Sequence, residues 1–260
     1  MVAPRRHLGK TGTALNYPRY DYSGHRVAVL GGTQGTGLAT AHAFADAGAD
    51  VTVTGAQHLT GFYDADLSRF RYRSLALDHP EAIVDFAAGT DRMDVLVVAS
   101  APELPRHLGH ADREFVVEAC RLGLAGPAQA VRRLRPALSA SAAQGGGAVV
   151  LTPAAARWWA LGGDGPAAEE EFVHAVAGLA EGLERHGVRV NGCLATRTQG
   201  PAYHVQIERH APRTSGTLLA RPRRVRGSLA EATRAAVVDL VQFLASAGAA
   251  GLTGQTLRVG

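Results

Sequence analysis

Gly31, Gly35 and Gly37 stand at a G-x-x-x-G-x-G spacing between an apolar β-branched run, Arg26 to Leu30, and a stretch of helical periodicity at about 36 to 48. Glycines placed this way let a strand turn tightly into a helix with no side chain in the way. A phosphate can then sit against the backbone N–H groups of the helix's first turn. A second β-branched run, Asp50 to Thr54, follows. Strand, glycine turn, amphipathic helix and strand in this order make a βαβ unit, with Gly31, Thr33, Gln34, Gly35, Thr36 and Gly37 as candidate phosphate-binding residues. The same glycines would also serve close helix packing alone, and spacing does not separate the two uses.

The alternation continues along the chain. Further strand candidates are Tyr72 to Leu77, Asp94 to Ala99, Ala148 to Thr152, Val188 to Leu194 and Thr256 to Val259, and helix candidates lie at about 79 to 89, 111 to 140, 166 to 186 and 229 to 246. Seven strands alternating with helices predict an α/β fold, a doubly wound parallel seven-stranded Rossmann-type sheet in a single domain. Residues 1–22 read as an N-terminal extension and 23–260 as the domain. Ala195 to Gly227 has no clear period and contains Pro201, Pro212 and Pro222. A loop that long in a compact domain is expected to be a lid or binding loop, here at the carboxyl ends of the strands.

Composition narrows the function classes. No apolar run approaches the ~20 residues of a membrane span, and the first 22 residues hold no apolar stretch like a secretory signal, so a cytoplasmic protein without membrane contact is expected. The net charge is only +4, with arginines scattered through helices and loops, which argues against a nucleic-acid partner. Cys120 and Cys193 lie in apolar contexts, as buried free thiols do, and no metal site is expected.

Other stretches join the glycine turn in a pattern spread over the chain: Leu77-Asp78, Arg92-Met93-Asp94-Val95-Leu96-Val97, Gly126-Pro127, Gly145-Gly146-Gly147-Ala148-Val149-Val150, His186-Gly187-Val188-Arg189-Val190-Asn191 and Leu252-Thr253-Gly254-Gln255. Over about residues 22 to 260 the chain resembles the short-chain dehydrogenase/reductase family. The resemblance implies NAD(P) as candidate cofactor, with Asp78 at the position that contacts adenine. It also implies helices at about 111 to 140 and 166 to 186 that pair between subunits, so a homodimer or homotetramer is expected, or a hetero-oligomer with an active relative.

The family's reaction is not legible here. Its catalytic Tyr and Lys stand four residues apart on one helix, yet Lys10 is the only lysine, and none of the six tyrosines has a Lys four residues on. By the resemblance, Tyr falls on Gly165, Lys on Glu169, Ser on Ala154 and the relay Asn on Gly123. Val98-Ala99-Ser100-Ala101 stands for the N-N-A-G segment, and Ala195-Thr196 for the P-G after the sixth strand. The family's Tyr is the acid/base, its Ser orients the carbonyl, and its Lys lowers the Tyr pKa and holds the nicotinamide ribose. A general acid alone is normally worth ~10²–10⁴ in rate. The end of the second strand, Thr54-Gly55-Ala56-Gln57, carries neither the acid usual for NAD nor the Arg usual for NADP.

Other groups are candidates for chemistry. Glu169 is either a solvated acid favouring the helix dipole or, at a pocket-facing position, a general acid or base. Ser100 and Thr152 offer hydroxyls at strand ends, and His204 in the long loop is a candidate base, though loop histidines are commonly just solvated. Trp158 and Trp159 would stack a planar substrate or fill an interface, and Tyr203 and His210 are candidate substrate contacts. Three readings follow: a non-redox enzyme of cyclase, isomerase or dehydratase type acting on an apolar carbonyl-bearing metabolite in specialised metabolism; an NAD(P)-dependent oxidoreductase with displaced acid/base groups; and a catalytically inactive partner subunit or binding protein.

Overall fold

The computed structural model describes residues 20–99, 124–152, 165–195 and 228–259. Seven parallel strands form one sheet: β1 (Arg26–Leu30), β2 (Asp50–Gly55), β3 (Arg71–Ser74), β4 (Val95–Val98), β5 (Gly147–Leu151), β6 (Val188–Ala195) and β7 (Thr256–Val259), in the order β3-β2-β1-β4-β5-β6-β7. The chain starts at the middle of the sheet, winds outward to β3, then returns to β4 on the other side of β1. That reversal opens a crevice at the carboxyl ends of β1 and β4, where ligands of such sheets bind.

Both faces of the sheet are buried. On one face Val27 and Val29 pack with Val51, Val53, Phe44 of α1 (Gly35–Asp46) and Val241 and Leu244 of α6 (Ser228–Ala245). On the other, Ala28 and Leu30 pack with Phe86 of α2 (Pro80–Ala88), Leu134 and Leu138, and Phe172 and Leu183 of α5 (Gly165–Glu184). Burial on both sides is why β4 and β5 read as continuous apolar runs, as parallel strands do. Each fully buried Phe or Leu contributes roughly 1.5–3 kcal/mol.

Most described boundaries fall within two residues of the sequence reading, and two elements differ by more. The third strand, expected over Tyr72 to Leu77, ends at Ser74, because β3 is an edge strand and its sole partner, β2, ends opposite it: Gly55 pairs with Ser74. The helix expected through residue 140 is broken. Within the described residues it runs over 124–133 (α3), turns at Leu134 and resumes as α4 (Arg135–Ser139). Pro136 has no N–H to donate into the preceding turn, so the helix cannot continue unbroken. Tyr22, at the edge of the expected extension, belongs to the core: it is 2 % exposed, packs edge-on against Phe44 and donates its hydroxyl to the Gln242 carbonyl of α6.

Candidate functional site

The site starts where β1 ends. Gly31 adopts φ 79°, a left-handed conformation that favours glycine, and turns the chain out of the sheet. Gly32 N–H then donates to the Thr54 carbonyl at 3.2 Å, pinning the turn to β2. A Cβ at Gly37 would lie 3.0 Å from the Gly31 carbonyl carbon, still closer to its oxygen, and 3.1 Å from Ala99 Cβ. Helix α1 therefore begins in direct backbone contact with the turn, which only glycine permits. Gln34 precedes α1 in extended conformation, and no side chain caps the helix. Orphan N–H groups at a helix N-terminus beside an open glycine turn suit an anionic oxygen. The phosphate part of a dinucleotide fits these residues. Thr33 is buried in the turn, while Gln34 and Gly35 are exposed and Gly31 and Thr36 half-buried.

The exit of β2 is built differently. A Cβ at Gly55 would lie within 2.8 Å of both Thr33 Cγ2 and Tyr63 Cζ. Tyr63 follows a short 3-10 turn, Thr60–Phe62, and folds back over Gly55. Its hydroxyl accepts the Gln57 N–H at 2.9 Å and lies 3.3 Å from the hydroxyl of Tyr72 on β3. The Tyr72 hydroxyl is directed at the Gly55 carbonyl, at 3.2 Å, and at that of Gln57. Burial, then the Tyr63 hydroxyl, pushes the Tyr72 phenol up from its ordinary value, so it remains a neutral donor at physiological pH.

Asp78, beyond β3, has a side chain 84 % exposed and 4.0 Å from the His79 ring. Its neighbour Leu77 is held by backbone contact with α3: a Cβ at Gly126 would come 2.9 Å from the Leu77 carbonyl carbon. At the end of β5, Thr152 is buried and its N–H donates to the Val98 carbonyl at 2.8 Å, so the residue sits beside the end of β4.

Glu169, on the first turns of α5, forms an ion pair with Arg258 of β7; their side chains are 19 % and 59 % exposed. Below it Phe172 packs close enough to Gly192 of β6 that a Cβ there would meet its ring at 2.8 Å. This close approach docks α5 against β6 and β7 and brings Glu169 to Arg258. Ser100, Trp158, Trp159, Tyr203, His204 and His210 lie outside the described residues. Cys193 is buried and free, and burial pushes its thiol up to about 12, which makes it unreactive. Among the described residues no group of three His, Cys, Asp or Glu is placed to hold a metal, and no helix is long and apolar enough to cross a membrane.

Sequence reasoning did not single out Tyr63 or Arg258 as parts of the site. Tyr63 lies in a stretch without periodicity, where nothing marks its target. Arg258 carries one signal, a cation between the apolar Leu257 and Val259 of the terminal strand.

A family model described as enoyl-(acyl carrier protein) reductase matches residues 31–260. Among solved structures, a short chain dehydrogenase/reductase family protein is 24% identical with a TM-score of 0.62, over 92% of this chain and 97% of its own. The NADP active-site complex of Pseudomonas aeruginosa RhlG is 17% identical, TM-score 0.64, over 93% and 97%. A ribose-5-phosphate isomerase from Brucella melitensis 16M is 21% identical, TM-score 0.66, over 93% of each chain. At these identities the structures show a shared fold. No curated protein sequence matches the chain. With its all-parallel seven-stranded sheet, its glycine turn at the switch point and a family match from that turn to the last residue, the chain belongs to the short-chain dehydrogenase/reductase family.

Proposed function

We propose that this chain is a non-redox enzyme on the short-chain dehydrogenase/reductase scaffold, of cyclase, isomerase or dehydratase type, acting on an apolar carbonyl-bearing metabolite in specialised metabolism. The observation that carries the reading is the pairing of Glu169 with Arg258. By resemblance Glu169 stands where the family has the lysine that activates its tyrosine. A carboxylate there reverses the charge, and the arginine beside it is already engaged, so this pair offers no free cation in the lysine's place. A general acid or base on a fixed scaffold is enough for proton-transfer chemistry without hydride transfer, and one fold hosts many reactions. Glu169 would move a proton on release from Arg258, with Thr152, Ser100 and His204 as further candidate groups and Trp158, Trp159, Tyr203 and His210 as candidate substrate contacts.

The test is turnover of apolar ketones and polyketone-like substrates, followed by mass spectrometry together with nicotinamide absorbance. An isomeric or dehydrated product with no change in nicotinamide absorbance is expected, with turnover falling by about 10²-fold or more in Glu169→Gln. Unchanged turnover in both Glu169→Gln and His204→Ala would remove those residues from the mechanism. A second reading, an NAD(P)-dependent oxidoreductase with displaced acid/base groups, is favoured by the open glycine turn. If NAD(P) binds, Gly31, Thr33, Gln34, Gly35, Thr36 and Gly37 would hold its pyrophosphate, and the group would supply hydride chemistry. Product formation coupled one-to-one to nicotinamide oxidation would establish that reading instead.

A further inference from the structure

The two ends of the cleft disagree about an adenine dinucleotide. At the glycine turn the backbone is open and uncapped, and a phosphate fits. At the end of β2, where dinucleotide-binding sheets place the side chain that reads the adenosine ribose, this chain has Gly55, and the space over it is taken by Tyr63. The placement is specific. Tyr63 and Thr33 of the glycine turn both lie against the position a Cβ at Gly55 would take, so the ring closes over the strand end beside the turn. Its hydroxyl accepts the Gln57 N–H and approaches Tyr72, whose own hydroxyl turns back to the carbonyls of Gly55 and Gln57. The backbone polar groups at the β2 exit that would meet a ribose hydroxyl are thus engaged within the protein.

We infer that Tyr63 is a built-in stopper of the adenosine-ribose end of the cleft, held shut by Tyr72 and Gln57, so that the chain discriminates against intact adenine dinucleotides until Tyr63 is displaced. Gly55 is the other half of the device. An acidic residue there would both clash with Tyr63 and restore a ribose contact, so glycine is what lets the ring close over the strand end. Leu59 just before the short turn and Phe62 at its end are 66% and 70% exposed, whereas Tyr63 itself packs against the buried core. It is the contacts of Tyr63, hydrogen bonds included, that hold the loop on the strand end. A ligand that must wait for Tyr63 to leave binds with an affinity reduced by the fraction of molecules in which it has left. The inference rests on the glycine turn as a phosphate site and does not depend on which reaction the enzyme carries out.

Calorimetric titration of the full chain with NADH and with NADPH, comparing wild type, Tyr63→Phe and Tyr63→Ala, tests it. Tyr63→Ala is expected to bind both nucleotides about tenfold or more tightly than wild type, the order set by the hydrogen bonds that no longer oppose entry. Tyr63→Phe, which keeps the ring and loses the hydroxyl bonds, is expected to fall between. Thermal unfolding confirms that each variant is folded. Equal affinity in wild type and Tyr63→Ala, including no measurable binding by either, overturns the inference. So does weaker binding by Tyr63→Ala, which would make Tyr63 a nucleotide contact. As a measurement on the unmutated side chain, 3-fluorotyrosine is incorporated and the Tyr63 resonance assigned by its loss in Tyr63→Phe; it is expected to move when NADPH is added. A resonance that stays in place while nucleotide binds overturns the stopper as well. These are binding readouts, so their failure is separate from failure of the proposed reaction, which is read from products.

Discussion

The turn from β1 into α1 lies inside the sheet, beside the crevice, whereas the junction of α5 with β7 lies at the sheet's far edge, and the two are made by different means. The first is made by backbone: Gly31 turns, Gly37 admits the Gly31 carbonyl, and Gly32 ties the turn to Thr54. The second carries a side-chain charge pair, Glu169 on a helix and Arg258 on an edge strand, brought together by the packing of Phe172 against Gly192. Backbone devices tolerate little change, because a misplaced atom has nowhere to go. Charge devices at a partly exposed edge are exchangeable, since solvent substitutes for either partner. The charge pair is therefore the one that can change while the fold and the glycine turn persist.

That contrast breaks most readily at Gly37. Gly37→Val puts side-chain atoms into the Gly31 carbonyl and is expected to cost about 3 kcal/mol or more, read as a lowered urea midpoint, and to abolish any nucleotide binding. If Gly37→Val is as stable as wild type, the turn is more pliable than its packing indicates.

The β6–β7 side also contains a charge that should not be exchangeable, and this sharpens the comparison by separating burial from charge. Arg189 is 7% exposed and donates to the carbonyls of Leu244 and Ala249 at 2.9 Å, Ser246 at 3.2 Å and Ala245 at 3.4 Å, around the C-terminus of α6. It satisfies helix-end carbonyls that would otherwise be orphaned. Arg189→Met is expected to cost about 2–4 kcal/mol, measured by denaturant unfolding. A loss below about 0.5 kcal/mol would show that water replaces the guanidinium there.

Asp94 provides a pH-dependent version of the same point. Burial opposes its ionisation, but hydrogen bonds from Arg92, the Arg26 N–H and Ser141 outweigh it and hold the carboxyl down at about 2. A carboxyl depressed on folding contributes stability that is fully present above its unfolded value of about 3.9 and is lost as pH falls toward 2. The contribution is about 1–2 kcal/mol, allowing for solvent screening, so wild type should lose more stability than Asp94→Asn between pH ~4 and ~2. Parallel acid unfolding of the two proteins would remove Asp94 from this account.

The smallest effect belongs to the pair that carries the functional proposal. Arg258→Ala is expected to change stability by under about 1 kcal/mol, because Arg258 is largely exposed. Its effect should appear in turnover, where Glu169 is released, and a turnover indifferent to Arg258→Ala would detach the pair from the chemistry.

Much of the fold was legible because its determinants are local. The G-x-x-x-G-x-G turn is a constraint within seven residues, and the apolar runs of β4 and β5 announce strands buried on both faces. The segments Val188–Asn191 and Leu252–Gln255, which the family resemblance set side by side only as matching stretches, turn out to be one hydrogen-bonded unit. Val190 N–H meets Thr253 Oγ1 at 3.2 Å, Asn191 donates to the Leu252 carbonyl at 2.8 Å, and Gly254 N–H meets the Val190 carbonyl at 2.7 Å. The break at Pro136 was also written in the sequence, although the helical period on either side concealed it.

The site was legible only in part. By itself the sequence determined the βαβ start, the parallel doubly wound class, the glycine turn and the absence of any Tyr with a Lys four residues on, since each depends on residue identity and short-range spacing. What the tertiary structure decided was which distant groups meet: Glu169 with Arg258 across 89 positions, and Tyr63 with Gly55 across a loop of no periodicity. Such meetings follow from how helices and loops dock on the sheet. That docking is set by the summed burial of many side chains, so no local pattern records which polar group will end beside which.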